Sequence, residues 1–262
     1  AIIPVHLAGR PCEIDYIIKL AKKHKIKVIE DAAHAIESIY NGKKIGNIGD
    51  VTCFSFYVTK NLVTGEGGMV TTNNKNIAKK IRLRSLHGIS KDAWKRYSDK
   101  GYTHYETIYP GYKYNMTDIQ ASLGIHQLKN INNALSIRNK HWENYNNGLK
   151  KYDEIIIPID IDNATHARHL YIIILRLKSL KINRDEFIGE LKKRNIGSGV
   201  HYTSVHMHKF YKEKYKFKKH HYPNAAWISD RIISLPLSAA LKDDDINDVI
   251  DAVGFVINKN KK

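Results

Sequence analysis

Lys60 follows the run Phe54-Ser55-Phe56-Tyr57-Val58-Thr59, and Asp31 follows Val28-Ile29-Glu30. A lysine amine after a buried apolar run can condense with an aldehyde, and a carboxylate at the end of another can hold a protonated ring nitrogen. Together they point to pyridoxal phosphate (PLP), which also asks for phosphate donors and for groups packed on its ring faces. Ala33 is small enough to lie under a flat ring. His34 can hydrogen-bond a ring hydroxyl, and Ser55, five residues before Lys60, can donate to a phosphate. An exposed lysine is protonated and a poor nucleophile, so this chemistry requires Lys60 to be partly desolvated or near other cations. Plainer roles stay open for each residue: a surface lysine, an Asp31 N-cap for a helix over Ala32 to Ile36, a core-satisfying His34, and a Ser55 hydroxyl spent on nearby backbone.

Other chemistries find less support. Gly65-Glu66-Gly67-Gly68 is neither a GxxxxGK[ST] loop nor a GxGxxG after a strand, and reads as a tight backbone turn beside Lys60. His201, His206 and His208 lack cysteine or carboxylate partners at ligand spacing, so no metal is expected. There is no GxSxG elbow for serine hydrolysis. Cys12 and Cys53 have no CxxC spacing and are expected to be reduced thiols.

The elements that must position Lys60 and Asp31 read as an α/β pattern. Ile2 to His6 is a short apolar run, Ile14, Ile17, Ile18 and Ala21 recur at helical spacing, and Ile26 to Ile29 is a second run. Strand, helix, strand is the unit of a mostly parallel sheet, whose sites collect beyond the carboxyl ends of the strands. Val51 to Phe56 and Gly68 to Thr72 read as further strands, and Ile77 to Leu86 as a helix. Ser90 to Tyr114 reads as a long aromatic loop, a kind of segment usually tied to function or an interface. Thr117-Asp118 caps a helix that is expected to continue through Ile131 toward Trp142 and bridge two lobes. Past Asp153 the pattern becomes α+β: strands at 155–157 and 170–177, helices at 184–194, near 227–232 and at 244–257. The expected division is a large domain over 1–130 and a smaller C-terminal domain over 131–262 that includes the bridging helix.

With 262 residues and 42% apolar content the chain can bury a sizeable core. No stretch approaches the roughly 18 apolar residues of a membrane helix, and the N-terminus lacks a secretion-signal pattern, so a cytoplasmic protein with no membrane partner is expected. The net charge of +17 leaves a basic nucleic-acid binder as an alternative. Its lysines are scattered in pairs such as Lys22-Lys23 and Lys218-Lys219, without a nucleic-acid-binding motif, which favours no nucleic-acid partner.

The runs around Asp31, Lys60 and Gly65-Glu66-Gly67-Gly68-Met69-Val70, with Pro110-Gly111-Tyr112-Lys113-Tyr114-Asn115 and Gly197-Ser198-Gly199-Val200-His201-Tyr202, resemble the DegT/DnrJ/EryC1/StrS aminotransferases. Asp92-Ala93-Trp94-Lys95-Arg96-Tyr97-Ser98 adds to a likeness with the branch of the UDP-4-amino-4-deoxy-L-arabinose and pseudaminic-acid pathways. The resemblance implies a fold-type-I PLP enzyme, homodimeric or a higher homo-oligomer, that aminates nucleotide-linked keto sugars with glutamate as donor and 2-oxoglutarate as product. It implies Lys60 as the cofactor-linking residue, Asp31 at the ring nitrogen, Ala33 and His34 at the ring, and Ser55 and Asn115 at the phosphate, Asn115 reaching in from the partner subunit. It places Tyr57, His201 and Tyr202 at the substrate. Tyr57 departs from the histidine common there. The family's first large-domain elements, a Gly/Ser/Thr phosphate loop and the aromatic that stacks on the cofactor have no counterpart ahead of Ala1, so an N-terminally truncated homologue is expected. The competing expectation is a fragment that folds or oligomerises without cofactor.

Overall fold

In the computed structural model, which describes residues 1–89 and 106–262, the elements run in chain order. They are α1 (Ile14–Lys23), β1 (Ile29–Asp31), β2 (Ile39–Tyr40), β3 (Lys43–Lys44), β4 (Val51–Ser55), β5 (Gly68–Thr71), α2 (Lys75–Ser85), α3 (Asp118–Lys129), α4 (Ile131–Leu149), β6 (Ile155–Ile156), β7 (Ala164–Thr165), β8 (Tyr171–Leu175), α5 (Arg184–Lys192), α6 (Lys209–Tyr215), α7 (Pro223–Ser229), β9 (Ile232–Leu235) and α8 (Asp243–Asn260). Trp94, Tyr97, Tyr102 and Tyr105 of the expected aromatic loop lie outside the described residues. The chain divides into two compact units, one of residues 1–131 with 163–167, the other of 132–162 with 168–262.

The first unit is built on a sheet of order β1-β4-β5. β1 and β4 are parallel and β4 and β5 antiparallel. Parallel bridges from Ile2 to Val28 and from Val5 to Asp31 lay the first apolar run alongside β1. α1 is strongly amphipathic: Ile14 and Ala21 are buried with Val28, and Ile17 and Ile18 pack against them. A second, small sheet joins β3, β2 and β7 through pairs of two residues each.

In the second unit an antiparallel sheet of order β6-β8-β9 carries the core. Tyr171, Ile173 and Leu175 alternate along β8 and are fully buried, as period-two geometry requires. Trp142 and Tyr145 of α4, Phe187 and Leu191 of α5, and Val253 and Val256 of α8 join them in one cluster. Both added helices have clear start signals. Asn183 accepts the amides of Asp185 and Glu186 while Glu186 reaches back to the Asn183 amide, a capping box for α5. Asp243, Asp244 and Asp245 sit in the first turn of α8, where the helix dipole favours negative charge.

Two helix expectations need correction. Residues 227–232 are not one helix: α7 starts earlier, with Pro223 in its first turn, and stops at Ser229. Ile232 to Leu235 instead form β9, buried throughout, paired with β8 and bridged on its other side through Ser234 to Gly199. A short β-branched run hydrogen-bonded on both sides is worth more as a strand than as a last helical turn. The helix expected from Thr117 to Trp142 is two helices that part at Asn130, whose amide returns to Gln127 and Leu128.

Candidate active site

Asp31 closes β1 level with Cys53 on β4, and alternation puts Ser55 on the same face as Cys53. The two strand ends thus bring Asp31, Cys53 and Ser55 to one side of the sheet. Burial and, after it, the Asp31 charge push the Cys53 thiol up from its ordinary value. Asp31 accepts the Ala33 amide at 3.0 Å. Residues 32–38 form consecutive tight turns, with Ala35 N–H bonded to Ala32 O and Ser38 N–H to Ala35 O, so Asp31 caps a turn and no helix follows it. Ala33 is half-buried on that turn.

His34 is buried, and its Nδ1 accepts the Ala8 amide at 3.2 Å, so in the neutral ring the proton sits on Nε2. The chain at Gly9 passes close by. A Cβ there would stand 2.9 Å from both the His34 carbonyl oxygen and the Ala167 Cβ, and φ is +93°, so only glycine fits.

Lys60 lies in the loop between β4 and β5. Backbone bonds from Phe56 N to Gly67 O and from Thr64 N to Phe56 O, each 2.9 Å, close the loop at its base. The Lys60 amide turns back to Tyr57 O at 2.9 Å. Its side chain is half-buried, and burial draws the amine below the ordinary lysine range against the opposing pull of Asp31. An amine that gives up its proton more easily is a better nucleophile toward a carbonyl. Asn61, next in the chain, donates from Nδ2 to Glu37 Oε2 at 3.0 Å and to Ala167 O at 2.9 Å. Sequence reasoning passed over Asn61 and Glu37. The signal available was a carboxylate, Glu37, set directly after the apolar Ala35-Ile36 and before the run that opens β2.

Tyr57 is exposed, with its amide directed at Ser55 Oγ, 3.4 Å away. Asn115 is exposed in the extended segment before α3, where its Oδ1 accepts from the Lys113 amine. The structure therefore brings Asp31, Ala33, His34, Ser55, Tyr57 and Lys60 to one end of the first unit's sheet. His201 and Tyr202 belong to the second unit. There the His201 Nδ1 is hydrogen-bonded to Ser234 Oγ at 2.8 Å, and the exposed Tyr202 ring meets the His201 ring edge-on.

Glu30, next to Asp31, faces the opposite side of the strand and is wholly buried. It accepts from His6 Nε2 at 3.1 Å, Gly49 N–H at 2.7 Å and Thr52 Oγ1 at 2.7 Å. Burial alone would raise its pKa, but these donors hold the carboxyl below the usual glutamate range. With the folded value below the unfolded one, the unfolded chain takes up the proton first as pH falls, so this stabilisation is present above the ordinary glutamate pKa and lost on acidification. The expected difference in unfolding free energy between the parent and Glu30→Gln is about 1.5–3 kcal/mol near neutrality. It shrinks as the pH drops through the lowered value. Urea unfolding at a series of pH values reads it, and a gap that does not change with pH contradicts it.

A family model described as the DegT/DnrJ/EryC1/StrS aminotransferase family matches residues 1–254. The chain belongs to this family. The uncharacterised protein MJ1066 of Methanocaldococcus jannaschii is 52% identical over 261 residues, covering 100% of this chain and 68% of its own length. The spore coat polysaccharide biosynthesis protein SpsC of Bacillus subtilis is 45% identical over 258 residues, 98% of this chain and 66% of SpsC. Spr1654 of Streptococcus pneumoniae, solved in a PLP form, superposes with a TM-score of 0.88 at 32% identity, over 98% of this chain and 68% of that one. Helicobacter pylori PseC, an aminotransferase involved in the biosynthesis of pseudoaminic acid, gives 0.88 at 26% identity, over 99% and 67%. This DegT/DnrJ/EryC1/StrS chain has the α/β fold type I of PLP-dependent aminotransferases, and it spans about two thirds of the length of these relatives. No helix among the described residues is long and apolar enough to cross a membrane.

Proposed function

We propose that the protein is a PLP-dependent aminotransferase that moves the amino group of glutamate onto a nucleotide-linked keto sugar, in the cytoplasm, for the synthesis of a cell-surface polysaccharide. The observation that carries this reading is that Asp31, closing β1 level with Cys53, and the half-buried Lys60 of the β4–β5 loop stand at the same end of the first unit's sheet. The residues fit the cofactor chemically: a half-buried amine, a carboxylate at a strand end that accepts the Ala33 amide, and a buried histidine whose Nε2 carries the proton in the neutral ring.

When bound, the cofactor supplies an electron sink for the charge left on the substrate carbon. Lys60 would hold the cofactor through its amine, and that amine would carry the proton at the substrate carbon. Asp31 keeps a proton on the ring nitrogen. Ala33 leaves room for a flat ring, and His34 donates to the ring hydroxyl. Ser55 and, from a second copy, Asn115 bind the phosphate. Tyr57, His201 and Tyr202 orient the sugar nucleotide. A homodimer is supported by α3, whose Ile119, Leu123, Ile125 and Leu128 are each more than half exposed in the single chain at 79%, 52%, 61% and 54%.

The test is a half-reaction on the PLP-loaded full-length protein. With L-glutamate and no keto acceptor, about one equivalent of 2-oxoglutarate per subunit is expected, the amino group passing to the cofactor. Loaded protein that releases none overturns glutamate as donor, and protein that takes up no cofactor favours a fold without this activity.

A further inference from the structure

Among the described residues no strand pairs with the loop that carries Lys60, so its backbone polar groups find partners elsewhere. Val63, three residues after Lys60, finds both of its partners in one side chain. Its N–H donates to Gln127 Oε1 at 2.9 Å, and its carbonyl accepts from Gln127 Nε2 at 2.6 Å. The glutamine amide thus stands in for a neighbouring strand. One helical turn earlier on α3, Gly124 lets the loop come close: a Cβ there would lie 3.1 Å from Thr64 Cγ2 and 3.6 Å from Leu62 Cδ2. A turn earlier again, Gln120 Nε2 donates to Glu66 O at 3.0 Å. Residues 120, 124 and 127 share a helix face at i, i+4 and i+7 spacing, and that face is the seat of the loop.

From this geometry we infer that Gln127 is a positioning residue for Lys60, holding the loop on α3 so that the amine stays at the carboxyl end of the sheet. A glutamine amide carries its donor and its acceptor side by side in one plane, as the Val63 N–H and carbonyl require. The inference rests on the reading of Lys60 as the cofactor-linking residue. Its consequence is visible without cofactor. If the loop loosens, the Lys60 amine moves into water and loses the burial that depresses its pKa.

Competitive acetylation with acetic anhydride, read by mass spectrometry at the Lys60 peptide over a pH series, measures that midpoint in the full-length, cofactor-free protein. Gln127→Met is expected to raise it, back toward the ordinary lysine range. Gln120→Met, which removes a single bond to the loop, is expected to raise it less and serves if Gln127→Met does not fold. Asn183→Ala, which removes the α5 cap in the second unit, is expected to lower the melting temperature and leave the midpoint where it is. A midpoint unmoved in both glutamine variants overturns the positioning role, even if PLP labels Lys60. A midpoint that shifts as described, in a parent that never takes PLP on Lys60, sustains the positioning role and overturns the cofactor reading.

Discussion

Lys60→Ala is expected to abolish covalent attachment of PLP and to remove amino transfer. Two losses combine. Without the amine nothing in the loop condenses with the aldehyde, and without it the proton at the substrate carbon has no carrier, a loss of about 10²–10⁴-fold for general acid–base work alone. The fold has little reason to change. Lys60 is half-buried at the tip of a loop closed through Phe56, Thr64 and Gly67, and it is Asn61 that ties the loop to Glu37 and Ala167. A melting temperature close to that of the parent therefore belongs to the same expectation. Dialysis of the PLP-loaded variant with absorbance before and after reads attachment, and the glutamate half-reaction reads transfer. Retention of both by Lys60→Ala would assign the chemistry to another residue.

Phe187→Ala is expected to cost about 3–5 kcal/mol, the range for a large aromatic removed from a packed core. Phe187 is completely buried on α5, in the cluster that α5, α8 and the β6-β8-β9 sheet build together with Trp142 and Tyr171. Interiors are packed at crystal-like density, so the lost ring leaves a cavity that these rigid neighbours fill only in part. For a chain of this size that corresponds to a fall of roughly 6–20 °C in melting temperature. Phe187→Leu keeps most of the volume and is expected to lose far less. Equal losses for the two variants would contradict the packing described for this core.

Much of the candidate site was legible because it depends on local signals. Asp31 and Ser55 end apolar runs, and a run that pairs within a parallel sheet delivers its last residue to the carboxyl edge whatever the rest of the chain does. Lys60 was legible from its place just after such a run. What the sequence did not disclose was set by long-range pairing. Gln127 meets Val63 across 64 positions and Asn61 meets Ala167 across 106, and nothing near either residue announces the partner. β9 is not evident from the sequence because only the Asp230-Arg231 turn, with no glycine or proline, separates α7 from Ile232 to Leu235, and the strand declares itself only through β8 and Gly199. The small β3-β2-β7 sheet escaped for a similar reason. Its strands have two residues each, too few for a period, and β7 arrives from more than a hundred positions downstream. The apolar residues of α3 were visible as a helical pattern, but periodicity does not tell a face that meets a core from one left exposed.

The most direct measurement is reduction of the PLP-loaded full-length protein with borohydride, followed by peptide mass spectrometry. The mass of the reduced cofactor on the peptide containing Lys60, and on no other lysine, is the predicted result. A label confined to a different lysine, or none at saturating cofactor in a folded protein, would contradict the assignment of Lys60 as the residue that holds the cofactor.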